Sequence, residues 1–292
     1  MLYDITATIT YSYDAPAVAG RTLLRLMPLG SGAAQRLVAG RIEAQPAPAE
    51  RVDRDDFFGN RVTELTFRTA ADTARFRLVA RVERTGAAPE LDLSPPLARL
   101  AEELDAPSTL GPDAPHHFLG PSARIAPDPA IAAYAQDHAP PGATALATLA
   151  ALGGALHRDL RFDASATTVS TDASEAFAAR HGVCQDFSHI MIVALRSLGI
   201  PAGYVSGYLR TIPPKGGPRL QGADAMHAWV RAWCGVETGW IDFDPTNDCL
   251  VAADHIVVGV GRDYDDVPPV RGVLRTAGGQ ISAQEVDVVP LG

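Results

Sequence analysis

The 292-residue chain contains three thiols, Cys184, Cys234 and Cys249, and an odd count leaves at least one without an intrachain partner. A free thiol is usually a small buried hydrophobe, so its surroundings decide whether it reacts. Those of Cys184 suit reaction. The segment His181-Gly182-Val183-Cys184-Gln185-Asp186-Phe187 opens a run in which Phe187, Ile190, Met191, Ala194, Leu195 and Leu198 recur at the spacing of one apolar helix face. Gly199 and Pro201 are placed to end that helix. Cys184 thus stands in the first turn, where unpaired N–H groups and the helix dipole favour a thiolate and can hold an oxyanion. Asp186 complements the positive end, and Gly182 lets a substrate backbone approach.

A reactive thiol also needs an imidazole to take its proton and a polar group to orient that imidazole. One hairpin supplies both. Ala225–Trp233 reads as a strand whose odd positions hold His227, Trp229, Arg231 and Trp233. Gly235 to Gly239 forms the turn, and Trp240–Asp244 returns, ended by Pro245. His227 and Asp244 share a face only if paired residue numbers have an odd total, which demands an even-length loop or a bulge. Asp242 shares the face of Asp244 and is its rival. Taken singly, His227 also reads as a satisfied core histidine and Asp244 as a turn residue.

Other elements must hold these pieces together. Tyr3, Ile5, Ala7, Ile9, Tyr11 and Tyr13 alternate with small or polar residues, as on a half-buried strand. Thr22–Leu26, Arg36–Glu43, Arg61–Arg68 and Arg75–Glu83 are further candidate strands, and Asp55–Asn60 reads as a hairpin turn in which Gly59 and Asn60 tolerate positive φ. A small β-sandwich over residues 1–86 is expected. A Pro, Ala and Gly-rich connection follows over 87–128, with a helical stretch at Pro96–Leu104 and a surface pair, His116-His117. From residue 129 the pattern is helical at Pro129–His138, Ala143–Leu160 and Ser174–His181. After Cys184's helix, Ala202–Leu209 alternates with Tyr204, Ser206 and Tyr208 on one side, and a loop spans Pro213–Gly222.

Hydrophobic residues make up 47% of the chain and the formal charge is −9 at pH 7. That composition suits a packed domain and offers no global basic field for nucleic acid or anionic lipid. The start, MLYDITATITYSY, lacks the basic and apolar regions of a secretory signal, and no apolar run has membrane-spanning length, so a soluble cytoplasmic protein is expected. Zinc held by Cys184, His227, Cys234, Cys249 and His255 would lack paired ligand spacing. No calcium loop of the EF-hand type is present, and no cofactor is expected.

Five segments together resemble the bacterial transglutaminase-like family, within the papain-like superfamily. They are Gly182-Val183-Cys184-Gln185-Asp186-Phe187, Ile200–Tyr208, His227-Ala228-Trp229, Gly239-Trp240 and Phe243-Asp244-Pro245-Thr246-Asn247. Weaker likeness runs through Tyr11-Ser12-Tyr13, Asp56–Asn60, Phe162-Asp163, Asp254-His255-Ile256 and Gly261–Val267. Met226 and Gly203 depart from the family pattern. The resemblance implies an α+β chain: an N-terminal β-sandwich, then a papain-like, transglutaminase-core domain over 129–292 with helices packed on an antiparallel sheet. It makes Cys184 the nucleophile, His227 the base and Asp244, preferred over Asp242, the orienting acid. Gly182, Gln185, Asp186, Tyr208, Trp229 and Asn247 are the expected substrate contacts. The implied chemistry is acyl transfer from an amide or isopeptide bond of a protein or peptide through a thioester, with water or an amine as acceptor. An arylamine-type acyltransferase and a catalytically silent binding module are the alternatives.

Overall fold

The structure is a computed structural model describing residues 1–30, 34–86, 89, 91–105, 109–211 and 224–291; the Pro213–Gly222 loop expected above lies outside the described residues. The chain begins with five strands: β1 (Leu2–Leu24), β2 (Gln35–Gln45), β3 (Glu50–Asp55), β4 (Arg61–Phe67) and β5 (Ala71–Arg84). Helices α1 (Leu97–Leu104), α2 (Pro129–His138) and α3 (Ala145–Asp159) follow. Then come β6 (Arg161–Phe162), α4 (Ala173–Ala179), β7 (His181–Gly182) and α5 (Cys184–Ser197). The remainder is strand: β8 (Ala202–Leu209), β9 (Ala225–Trp233), β10 (Trp240–Asp244), β11 (Cys249–Leu250), β12 (His255–Gly261), β13 (Val270–Arg275) and β14 (Gln280–Leu291).

The N-terminal unit is a curled antiparallel sheet rather than two separate leaves, because β1 serves both of its halves. Leu2–Ser12 pairs with β5 and Leu2–Tyr13 with β14, whereas Gly20–Leu24 pairs with β4 and β13. Irregular pairing around Ser12–Ala17 and Val18–Gly20 lets one strand bend between them. Tyr3, Ile5, Ala7 and Ile9 are buried as the alternation predicts, and they share one core with Leu24, Leu65, Phe76 and Leu78. The domain division read from the sequence needs correcting at its far end. Residues 270–291 pair with β1, so the last strands complete the N-terminal sheet instead of extending the 129–292 domain.

The second unit has a five-stranded antiparallel sheet in the order β11-β10-β9-β8-β12. Helix α5 packs on β8 and β9 on one side and against α2, α3 and α4 on the other. It is therefore buried all round from Gln185 to Leu195, not along one stripe. Gly199, at φ 80°, ends it, and the N–H of Ile200 bonds the carbonyl of Leu195. His116 and His117 lie in a 3-10 turn, their Nε2 atoms against the carbonyls of Leu104 and Leu110. Among the described residues no helix is long and apolar enough to cross a membrane.

The two units meet along β12, an edge strand of the second sheet. Its outward backbone groups are taken up by the N-terminal unit, mostly by side chains, with the Leu29 N–H also donating to the Val257 carbonyl at 2.9 Å. Gln35 gives Nε2 to the carbonyl of Val257 and accepts the Val257 N–H on Oε1, both at 2.8 Å. Asn60 does the same for Val260, at 2.8 and 2.7 Å. Arg84 donates Nε to the carbonyl of His255 at 2.9 Å. Asn60 is fully buried, and only Gly59 of the expected turn pair has positive φ, at 79°. The residue read as a turn former is thus an inter-unit clamp. Asn60→Ala leaves a buried N–H and a buried carbonyl of Val260 unpaired, at roughly 1–3 kcal/mol each. Urea denaturation is expected to show a loss of about 2–6 kcal/mol; a loss below about 0.5 kcal/mol, the range of neutral surface changes, would contradict the clamp.

Candidate active site

The first turn of α5 is built by three of the residues expected to touch substrate. Asp186 Oδ2 accepts the Val183 N–H at 2.7 Å and the Thr167 hydroxyl at 2.6 Å, which satisfies a donor at the helix start. A Cβ on Gly182 would fall 2.6 Å from that same Asp186 oxygen, so glycine there makes room for the carboxylate. Gln185 donates Nε2 to the Val169 carbonyl at 3.1 Å and ties the 163–172 segment to the helix. Gly182, Gln185 and Asp186 are all buried. Their visible contacts hold the start of the helix that carries Cys184. Cys184 itself is half-buried, and the Ser188 hydroxyl donates to its carbonyl at 2.8 Å.

The hairpin delivers its two residues as parity requires. β10 pairs with β9 as Trp240↔Trp233, Ile241↔Ala232, Asp242↔Arg231 and Phe243↔Val230, so the paired numbers have an odd total and Asp244 shares the face of His227. His227 Nε2 lies 2.7 Å from Asp244 Oδ2, and Cys184 lies near enough to the same ring to favour its charge. The rival Asp242 accepts the indole N–H of Trp229 at 3.1 Å instead. Trp229 is fully buried, as is Tyr208, whose hydroxyl donates to the Leu26 carbonyl at 2.8 Å. Both were expected to contact substrate; both anchor the sheet. Met226, where the sequence departs from the family pattern, packs on the core of the N-terminal unit.

Asp244 has no exposed surface and accepts five hydrogen bonds. Oδ1 takes the Thr246 and Asn247 N–H groups at 2.9 and 3.2 Å. Oδ2 takes His227 Nε2, Asn247 Nδ2 at 2.7 Å and His255 Nε2 at 3.0 Å. Burial alone would raise its pKa, but the bonds from His227, His255 and Asn247 hold it well below the usual carboxylate range. Burial likewise opposes a charge on His227, and Asp244 with Cys184 outweighs it, so the imidazole is pushed upward. Asn247 is exposed and, of the residues expected to contact substrate, is the one that does reach the site from solvent.

His255 was named from the sequence only within a strand segment and a zinc set. Its bond to Asp244 is not readable locally, because β12 reaches the site through β8. Of that zinc set, His227 and His255 converge on Asp244, and these three are the one cluster of three ligand-type side chains among the described residues, their atoms within 4.8 Å of one another. Cys234 is fully buried, its thiol against the Ala232 carbonyl.

Comparison with known proteins agrees with this architecture. Residues 132–245 match the model of the transglutaminase-like superfamily, and residues 3–83 match the bacterial transglutaminase-like N-terminal region. The uncharacterized protein Rv2569c of Mycobacterium tuberculosis is 35% identical over 292 residues, covering 99% of this chain and 90% of its own. An uncharacterized protein of Mycobacterium leprae is 33% identical over 288 residues, covering 96% and 94%. A crystal structure from Cytophaga hutchinsonii, of a protein named as a candidate cysteine protease, superimposes with a TM-score of 0.74 at 20% identity, over 100% of this chain and 91% of that one; it shares the fold. With its core and N-terminal region both matched, the chain belongs to the transglutaminase-like superfamily, in its bacterial form.

Proposed function

We propose that the chain is a cysteine-dependent acyl-transfer enzyme that opens an amide or isopeptide bond of a protein or peptide through a thioester on Cys184. One observation carries the reading: an imidazole held 2.7 Å from a buried carboxylate sits near a half-buried thiol at a helix N-terminus, and both neighbours favour its charge. With Nε2 committed to Asp244, Nδ1 of His227 is the nitrogen left for the thiol.

In this mechanism the proton of Cys184 passes to His227, and Asp244 stabilises the resulting imidazolium. The sulfur adds to the carbonyl carbon, and the oxyanion gathers N–H bonds from the first turn of α5. The tetrahedral intermediate collapses as the C–N bond breaks, and His227 gives its proton to the departing amine. The thioester is then cleaved by water, which makes the reaction hydrolysis, or by an amine, which makes it cross-linking. Either acceptor is deprotonated by His227, now neutral, and Cys184 is released.

Two measurements test the proposal. Burial pushes the thiols of Cys234 and Cys249 up to about 12 and about 11, so neither forms thiolate near neutrality. Because the imidazolium of His227 persists at low pH, iodoacetamide at mildly acidic pH is expected to label Cys184 first, identified by peptide mass spectrometry. Equal labelling of the three would refute an activated pair. In turnover assays with a peptide library, and with a glutamine peptide plus a fluorescent amine, Cys184→Ala is expected to abolish activity. Asp244→Asn is expected to lower kcat by roughly 10²–10⁴-fold, because an amide no longer stabilises the imidazolium. Turnover that survives Cys184→Ala would exclude the mechanism.

A further inference from the structure

The mechanism uses one imidazole, yet the acid it depends on holds two. His255 Nε2 lies 3.0 Å from the Asp244 oxygen that also receives His227. An ionised carboxylate only accepts, so the proton of this bond resides on His255 Nε2. The other ring nitrogen, Nδ1, is buried without a partner. His255 is 5% exposed. A side chain that merely filled this space would do better as a hydrocarbon, because a bare buried nitrogen costs free energy. The polar content of the ring is spent on one bond, and that bond goes to Asp244.

The remaining donors do not duplicate it. Thr246 and Asn247 N–H groups hold the other oxygen, Oδ1. The third donor to Oδ2, the Asn247 amide, belongs to an exposed residue whose bond competes with water. His255 is therefore the one dry donor, apart from His227, that fixes where Oδ2 points.

Its own placement is clamped from two sides. The ring meets Trp229 edge-on, with centroids 5.2 Å apart at 82°, and Trp229 is pinned by Asp242. The His255 carbonyl accepts Arg84 Nε at 2.9 Å, and Arg84 Nη1 donates to the Ala34 carbonyl at 3.0 Å. Arg84 ends β5, so the N-terminal unit grips the backbone of a residue whose side chain touches the acid of the site.

We propose that His255 is a positioning residue, the fourth member of a chain Cys184–His227–Asp244–His255, which seats the Asp244 carboxylate on His227 and couples the reactivity of Cys184 to the docking of the N-terminal unit. It rests on the acyl-transfer reading above.

The test follows the alkylation of Cys184 by iodoacetamide against pH in the full chain, with labelling of buried Cys234 as the reporter of unfolding. His255→Leu is expected to move the acid limb of the profile up by about one pH unit, roughly a tenfold slower reaction on that limb, the effect of one hydrogen bond to a charged group. His255→Gln, which keeps a donor at the Nε2 position, is expected to restore most of the rate. A Leu variant with the wild-type limb, or a Gln variant displaced as far as Leu, would overturn the proposal. A readout on the unaltered chain guards against a variant that fails to fold. Long-range ¹⁵N–¹H spectra are expected to find the His255 proton on Nε2, and a bare Nε2 would overturn the proposal too. A wild-type profile without acid-range reactivity at Cys184 defeats the acyl-transfer reading itself; with that reactivity present, the variants judge His255 alone.

Discussion

A carboxylate with no access to water is the constraint around which the second unit is organised. Moving such a charge from water into a protein interior is costly unless it is paired and fully hydrogen-bonded. Asp244 meets that demand with five bonds drawn from the turn that follows it, from β9 and from β12. The order Asp-Pro-Thr-Asn acquires a physical sense here. The carboxylate caps its own turn through Oδ1 and leaves Oδ2 to the imidazoles and the Asn247 amide. The register of β9 with β10, the buried indole of Trp229 and the course of β12 all serve to keep those donors in place.

The helix that carries Cys184 meets the sheet from the other direction. Its first turn is set by Asp186, Gly182 and Thr167, and its body is locked by packing on every side. Cys184 is thus held by a rigid rod, while the imidazole of His227 is held by a network. The proposed chemistry needs these two frames to agree, and many of the neighbouring side chains are spent on holding them rather than facing solvent.

What the sequence disclosed divides along the range of the interactions. The start and stop of α5 were legible because its periodicity, Gly199 and Pro201 are local signals. The pairing of His227 with Asp244 was legible as a parity rule, since side chains on a strand alternate strictly. The placement of the expected substrate contacts was not legible, because a Trp, a Tyr or a Gln in such a motif looks the same whether it faces solvent or core. Trp229, Tyr208 and Gln185 are resolved only by long-range partners, Asp242, Leu26 and Val169. Strands β3 and β13 escaped notice for a related reason. β3 is exposed throughout and β13 nearly so, and without a buried face there is no alternation to read. The role of Asn60 was hidden by the habits of its residue type: asparagine beside glycine suggests a turn, and nothing local indicates that its amide serves a strand 200 residues away.

That clamp has a consequence for how polypeptides meet this molecule. The outer edge of a sheet is an adhesive surface, ready to accept any extended chain as one more strand. Along β12 the groups that would recruit such a chain are occupied by the amides of Gln35 and Asn60 and the guanidinium of Arg84. Side-chain amides copy the donor–acceptor pair of a backbone, but they have no next residue through which the sheet can grow. For a protein proposed to act on polypeptides this matters: β-augmentation along β12 would sequester substrates in an unproductive register. With those groups occupied, β12 offers an extended chain no free run of donors and acceptors on which to settle away from Cys184.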